Sequence, residues 1–396
     1  MSERDEVEPD AISAPRRSRT TTVSMEAVSR IQPIGNAATI PPPPTRARRG
    51  SVTFSPDALS VIRAIPVEAA DLRGAERLFG HVFAKASGAT AGATYGAAPR
   101  GEILLIVENG EVKSLAAALA KAAIGRGYET RCYLIDPHEP ELAAFSRRLE
   151  MQAAESRAVF LLHGEFRLPA SILRAVQSAP TRISLDASTD AVAKQLLRSD
   201  LAEIERLGQL LIDRVRRCPR FEISSGYAER LEVEIDLNAS PIHYGGRLLP
   251  RFPLYLPAGQ LIFTPLSLQG SIAADGGIWL EDGAAIGRSA MNRLTISSGL
   301  IREVEGPDRE DMLRILDERP ELRRIAGVGF GTNPGLISGV GAKFLELCLP
   351  GVHLLLGDLD APRHRVAIIP RRPEVRTERE AWMVRGRYAR QLISEL

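Results

Sequence analysis

The feature that most constrains this chain is a recurring change of period between residues 102 and 217. Glu102–Val107 is apolar after its first residue, which is how a strand buried on both faces reads. Glu111–Arg126 then repeats Ala and Leu at helical spacing, Gly127 ends that helix, and Thr130–Ile135 is a second strand closed by Pro137 and Pro140. The alternation continues with a strand at Ala158–Leu162, a helix at Pro169–Ser178, a strand at Thr181–Leu185 and one long helix at Thr189–Arg217. Strands that alternate with helices specify a doubly wound α/β domain, because parallel neighbours need a crossover for each return.

After Cys218-Pro219 the texture changes. Phe221–Ser225 and Leu231–Leu237 alternate apolar with polar residues, as half-buried antiparallel strands do, and glycines, prolines and short apolar runs continue to Ile296. Arg309–Arg319 reads as a helix, and Leu322–Gly329, Val352–Leu356 and Arg363–Ile369 read as strands. Pro334–Phe344 is an apolar loop or helix, and the charged segment Arg371–Leu396 reads as a helix. Upstream, Pro56-Asp57-Ala58-Leu59 opens a short helix, Ala69–Ala86 is a second, and Ser87–Arg100 is a loop. The tetraproline Pro41–Pro44 and the arginines around it favour a solvated extended segment. The expected organisation is a disordered Pro/Arg-rich tail at 1–56, an N-terminal α/β domain at 57–217, a C-terminal β-rich α/β domain at 218–372, and a basic C-terminal helix or tail at 373–396.

Composition serves mainly to exclude. Lys+Arg 51 against Asp+Glu 49 leaves a net charge of +2, too little field to hold nucleic acid or an anionic membrane. Aromatic residues at 5% offer few stacking platforms for bases. Cys132, Cys218 and Cys348 lie far apart without a CxxC, so neither a disulfide framework nor a thiolate zinc site is expected. The acidic first ten residues carry no apolar run of a secretory signal, and no stretch approaches the ~18–20 apolar residues of a membrane helix. A cytoplasmic location is expected.

The usual phosphate loops are missing. No GxxxxGK[ST] occurs, Asn109-Gly110-Glu111 stands where a GxGxxG would follow the first strand, and Gly327–Asn333 runs into Pro334 as a tight turn. No nicotinamide cofactor is expected. Ile337-Ser338-Gly339 lacks the glycine of a serine nucleophile elbow. His81, His138, His163 and His243 read as isolated surface or core imidazoles. His353 and His364 differ, because a strand, an acidic turn with Asp358 and Asp360, and a second strand bring two imidazoles and a carboxylate to one end of a sheet. Such a set can hold a single Fe(II) or Zn(II). It is equally the pattern of a hairpin whose aspartates cap their own turn.

Several segments together resemble the aminopeptidase T-type metallopeptidases, whose relatives include an iron-dependent dioxygenase. Gly101-Glu102 and the Ala-rich helix that follows look like the family's "GE-x-LI" strand and helix. Leu256-Pro257-Ala258-Gly259-Gln260 is similar to its "N-[LI]-P-[GA]-G-E" segment, Gly327–Asn333 to "E-x-G-[IF]-G-T-N", and Leu345–Gly357 to "DEK-x-x-GTxHIALG". His364 stands at the start of "H-x-D", and the resemblance runs from about Glu76 to Pro370. It implies an aminopeptidase T-like fold, a homodimer, and a paired metal centre. At the positions of the family's ligands this chain keeps His353 and His364 but has Gln260, Gly327 and Val366 in place of two glutamates and an aspartate. Two cations ~3.5–4 Å apart need bridging anionic oxygens, so the loss of three carboxylates removes a two-metal centre.

Two expectations follow. One is a non-catalytic protein, without metal, that binds a peptide or an amide-bearing metabolite through Gln260, Tyr255, Thr332, Asn333, His353 and His364, as an accessory to a partner enzyme of peptide biosynthesis. The other is a mononuclear metalloenzyme, an iron dioxygenase or a zinc hydrolase, with His353, His364 and Asp358 or Asp360 on the metal.

Overall fold

The computed structural model describes residues 57–86, 101–108, 112–135, 142–163, 168–186, 190–225, 228–247, 253–280, 284–286, 291–337, 343–359 and 366–395. The tail expected at 1–56 and the loop at Ser87–Arg100 lie outside them.

A parallel sheet carries the first half. Its strands are β1 (Glu102–Glu108), β2 (Glu129–Ile135), β3 (Ala158–His163) and β4 (Arg182–Asp186), reached through α1 (Asp57–Ala64), α2 (Ala69–Ala86), α3 (Lys113–Gly125), α4 (Leu142–Glu155) and α5 (Ala170–Ala175). Side chains alternate across β1: Ile103, Leu105 and Val107 pack with α1, α2 and α3, while Leu104 and Ile106 pack with α4 and α5. Both faces are covered, which is why the strand reads as unbroken apolar sequence.

The long helix expected at Thr189–Arg217 is two helices, α6 (Asp190–Arg198) and α7 (Leu201–Arg217). Asp200 breaks the run, because its carboxylate caps α7 by accepting from the backbone N–H of Ala202 at 2.8 Å and of Glu203 at 3.2 Å. Helix α7 then turns Leu201 and Ile204 toward the first half and Leu207, Leu211, Ile212 and Val215 toward the second.

The second half is two facing antiparallel layers. One holds β5 (Arg220–Ser225), β6 (Glu229–Ile235), β10 (Pro265–Ala273), β13 (Arg293–Ser297) and β14 (Leu300–Glu305). Its far edge is β18 (Glu374–Arg376), β19 (Ala381–Val384) and β20 (Arg387–Tyr388), which correct the helix expected at Arg371–Leu396. Among the described residues only α10 (Arg390–Ile393) is helical there. Val375, Trp382 and Met383 are buried in the core shared with α8 (Arg309–Glu318), so strand periodicity prevails over the run of charges.

The other layer runs β12-β11-β17-β16-β15-β9-β7, with β7 (Ile242–Tyr244), β9 (Gln260–Phe263), β11 (Ile278–Trp279), β12 (Ala285–Ile286), β15 (Ile325–Gly331), β16 (Gly351–Leu356) and β17 (Ala367–Ile368). Leu261, Val328, Phe330, Val352 and Leu354 face the inter-sheet core, and α9 (Lys343–Cys348) packs near the other face. Between β7 and β9 the chain leaves this layer, and β8 (Leu254–Leu256) pairs parallel to β4 as the edge of the first sheet. The boundary expected at 217/218 therefore does not separate the sheets. Residues 51–396 form one compact unit.

Candidate functional site

Gln260 and His353 are brought together across a strand that carries no side chain between them. On β15, Gly331 pairs with Gln260 on one side and Gly351 on the other, and Gly329 pairs with Ile262 and His353. Residues directly paired or two apart share a face, so Gln260 and His353 point the same way over Gly329 and Gly331. The imidazole lies across Gly329, where a Cβ would fall 1.9 Å from its Nε2.

Gln260 Nε2 sits 3.0 Å from His353 Nε2. A carboxamide nitrogen only donates, so the imidazole accepts at Nε2 and carries its proton on Nδ1. Both residues are buried, at 1% and 2% exposure. Burial pushes His353 down to about 3, so the ring is neutral at pH 7. Ile262, Trp279, Leu347, Leu355, Ala367 and Ile369 form an apolar cluster on this layer.

Gln260 and His353 bring one neutral imidazole and no carboxylate, too few donors to hold a divalent cation by themselves. The amide hydrogen of Gln260 occupies the lone pair that His353 would give to a metal, and Ile262, Leu355 and Leu359 surround the Cα of Gly327. Asp358 is exposed beyond the end of β16, and no three of the His, Cys, Asp and Glu side chains converge among the described residues. Asp360 and His364 lie outside the described residues. Val366, at the position of a family aspartate, packs with Leu354 and Leu356 between the sheets, on the face opposite His353.

Thr332 and Asn333, expected to touch ligand, are both fully buried. Asn333 clamps backbone: its Nδ2 donates to Ala258 O at 3.0 Å and to Ser199 Oγ at 2.9 Å, and its Oδ1 accepts from Gly335 N at 3.1 Å. Thr332 N donates to Gly259 O at 2.6 Å. The pair pins the turn that delivers Gln260.

Tyr255 does line one. It is 44% exposed on β8, at a cleft of about 760 Å³ between α7 and the β7–β8 region. Glu205, Arg206 and Gln209 project from α7, and His243 and Arg247 come from β7 and the turn after it. His243 is wedged between two glycines: a Cβ on Gly208 would fall 2.1 Å from its Cε1, and one on Gly245 would fall 2.4 Å away. Its Nε2 is buried without a hydrogen-bond partner among the described residues. Burial pushes it down to about 4, with Glu205 opposing the shift and Arg247 adding to it. Arg247 Nε donates to Glu205 Oε1 at 3.0 Å on the same wall. Sequence reasoning passed over His243 as a bland imidazole; the signal was the glycines at 208 and 245, which leave room for a ring.

No model of a known protein family matches the chain, and no curated protein matches it. Among solved structures, it is similar to 2,5-dihydroxypyridine dioxygenase from Pseudomonas putida, with a TM-score of 0.52 and 15% identity over 82% of this chain and 99% of that one. AmpT from Thermus thermophilus aligns with a TM-score of 0.48 and 15% identity, over 81% of this chain and 99% of that one. At this identity the likeness to the dioxygenase is one of fold, a parallel α/β sheet joined to antiparallel layers.

Proposed function

We propose that this protein is a binding protein built on a metalloenzyme-like fold, and that it takes a peptide or an amide-bearing metabolite in the cleft of His243 and Tyr255. The observation that carries the reading is the cleft of about 760 Å³ itself, with the half-buried ring of His243 on its wall and the exposed ring of Tyr255 beside it. The neutral ring carries one donor and one acceptor, which suits an amide. Tyr244, Tyr255 and Ile212 supply apolar and aromatic surface, and Arg206 and the Arg247–Glu205 pair supply polar groups on its wall.

The test is calorimetric titration of the full chain with a panel of dipeptides and tripeptides in the presence of EDTA. Saturable binding that weakens at least tenfold in His243→Ala and Tyr255→Ala supports the reading. Binding that both variants leave unchanged sinks it. The likeness to a dioxygenase supports a second reading, a mononuclear metalloenzyme using His353 and His364. Turnover that EDTA abolishes and Fe(II) or Zn(II) restores would establish that reading in place of the first.

A further inference from the structure

The loop that joins β19 to β20 has an unexpected residue in it. Arg385 and Gly386 adopt φ of 53° and 72°, the paired positive values of a type I′ hairpin turn. The first of these positions favours Asn, Asp or Gly, because a Cβ crowds the backbone in the left-handed region. Here it is arginine. Arg372 is also left-handed, at φ 47°, and the two turns lie back to back: Gly386 N donates to Pro373 O at 2.7 Å, and a Cβ on Gly386 would come 3.2 Å from Arg372 Cα.

The result is a cleft of about 410 Å³ lined by Arg371, Arg372, Arg385 and Arg387, with Glu346 its one acid among the described residues. Arg372, Arg385 and Arg387 are exposed. Acids stand on the far side of the arginines: Asp275 accepts from the backbone N–H of Arg371 at 2.6 Å, Glu374 pairs with Arg376 at 2.8 Å, and both, with Glu229, border a second cleft that Arg371, Arg372 and Arg385 share. The hairpin is not a loose basic tail. Tyr388, next to Arg387, is buried and donates its hydroxyl to Gly331 O at 2.8 Å, and Trp382 is buried in the core below.

We propose that this cleft is an anion site for a phosphoryl group, either free phosphate or the phosphate of a small molecule. Guanidinium forks match phosphate oxygens in pairs. A carboxylate occupies one fork; a dianion with several terminal oxygens can use more. The site is separate from the His243 cleft and does not depend on what binds there.

The experiment titrates the full chain, purified in chloride buffer at fixed ionic strength, with inorganic phosphate, phenyl phosphate and acetate. The expected result is saturable one-site binding of a phosphate, at least tenfold tighter than acetate and at least tenfold weaker in both Arg372→Gln and Arg385→Asn. Asparagine is better suited to the turn than the native residue, so loss of binding in Arg385→Asn with an unchanged melting temperature reports charge and not misfolding. Tighter binding of phenyl phosphate assigns the cleft to a phosphorylated small molecule, and tighter binding of inorganic phosphate assigns it to the free ion. No saturable binding, acetate binding as tightly as phosphate, or affinity unchanged in both variants would overturn the proposal.

Discussion

The imidazole of His353 rests on the bare backbone of Gly329, and from there its Nε2 reaches the amide of Gln260 at 3.0 Å. Glycine at 329 is a steric condition for the contact. Gly329→Ala should destabilise the fold by about 2–3 kcal/mol through overpacking. Urea unfolding would measure it, and the double variant Gly329→Ala with His353→Ala should recover part of the loss, because the two changes share one contact. Strict additivity would show that the ring and the glycine are not coupled.

Stability should fall in acid through the histidines. His353 is held down to about 3 and His243 to about 4, against an ordinary value of 6.5, so below pH 6.5 the unfolded chain takes up protons that the folded chain refuses. Stability is full above that pH and declines as pH drops from about 6.5 toward 3, at up to about 1.4 kcal/mol per pH unit for each ring. In Gln260→Glu the new carboxylate favours the imidazolium and should narrow the window from below. Chemical denaturation at a series of pH values reads both slopes, and a flat profile would contradict the burial of these rings.

Asn333→Ala should cost about 1–3 kcal/mol, because it strands the buried carbonyl of Ala258 and frees the half-buried N–H of Gly335. Asn333→Asp should do no better, since it removes both donated bonds and sets a carboxylate beside a carbonyl oxygen. Thermal unfolding of both variants decides it, and a near-native melting temperature for Asn333→Ala would remove the clamp from the account.

Metal should not accompany the folded chain. Elemental mass spectrometry after incubation with excess Fe(II), Zn(II) or Mn(II) and gel filtration should find well under one ion per chain, and EDTA should leave the melting temperature unchanged. Near-stoichiometric iron or zinc, lost together in His353→Ala and His364→Ala, would favour the metalloenzyme reading.

Gly208→Ala should act on ligand and not on fold class. A methyl group there drives the His243 ring outward from its slot beside α7. Affinity for a peptide found with the native chain should fall at least fivefold in Gly208→Ala while far-ultraviolet circular dichroism stays native. Unchanged affinity would mean that the ring is not a contact.

The parallel half was legible in the sequence because a strand buried on both faces has a pattern of its own: Ile103 to Val107 allow little else. The partnership of Gln260 with His353 was not legible as a contact. The two lie on strands that never pair, and nothing local announces that β15 runs between them with glycines at 329 and 331. Resemblance to a metallopeptidase family pointed to both positions, yet it offered them to a ligand, whereas burial turns them toward each other. The C-terminal hairpin was hidden by its charges. Reading Ala381-Trp382-Met383-Val384 as strand required recognising Arg385-Gly386 as a turn, and arginine is a poor advertisement for one.

Strand β8 has a consequence for how the protein can be divided. It enters from the second half, pairs with β4 and supplies Leu254 and Leu256 to the first core. A fragment ending at Arg217 would leave the edge of β4 open to any passing strand, and the complementary fragment would carry three orphaned residues in search of a sheet. Neither piece should stay in solution by itself. Expressed together from separate genes, they have a ready docking point in that one short strand, so the chain is better suited to reassembly from halves than to survival as either half.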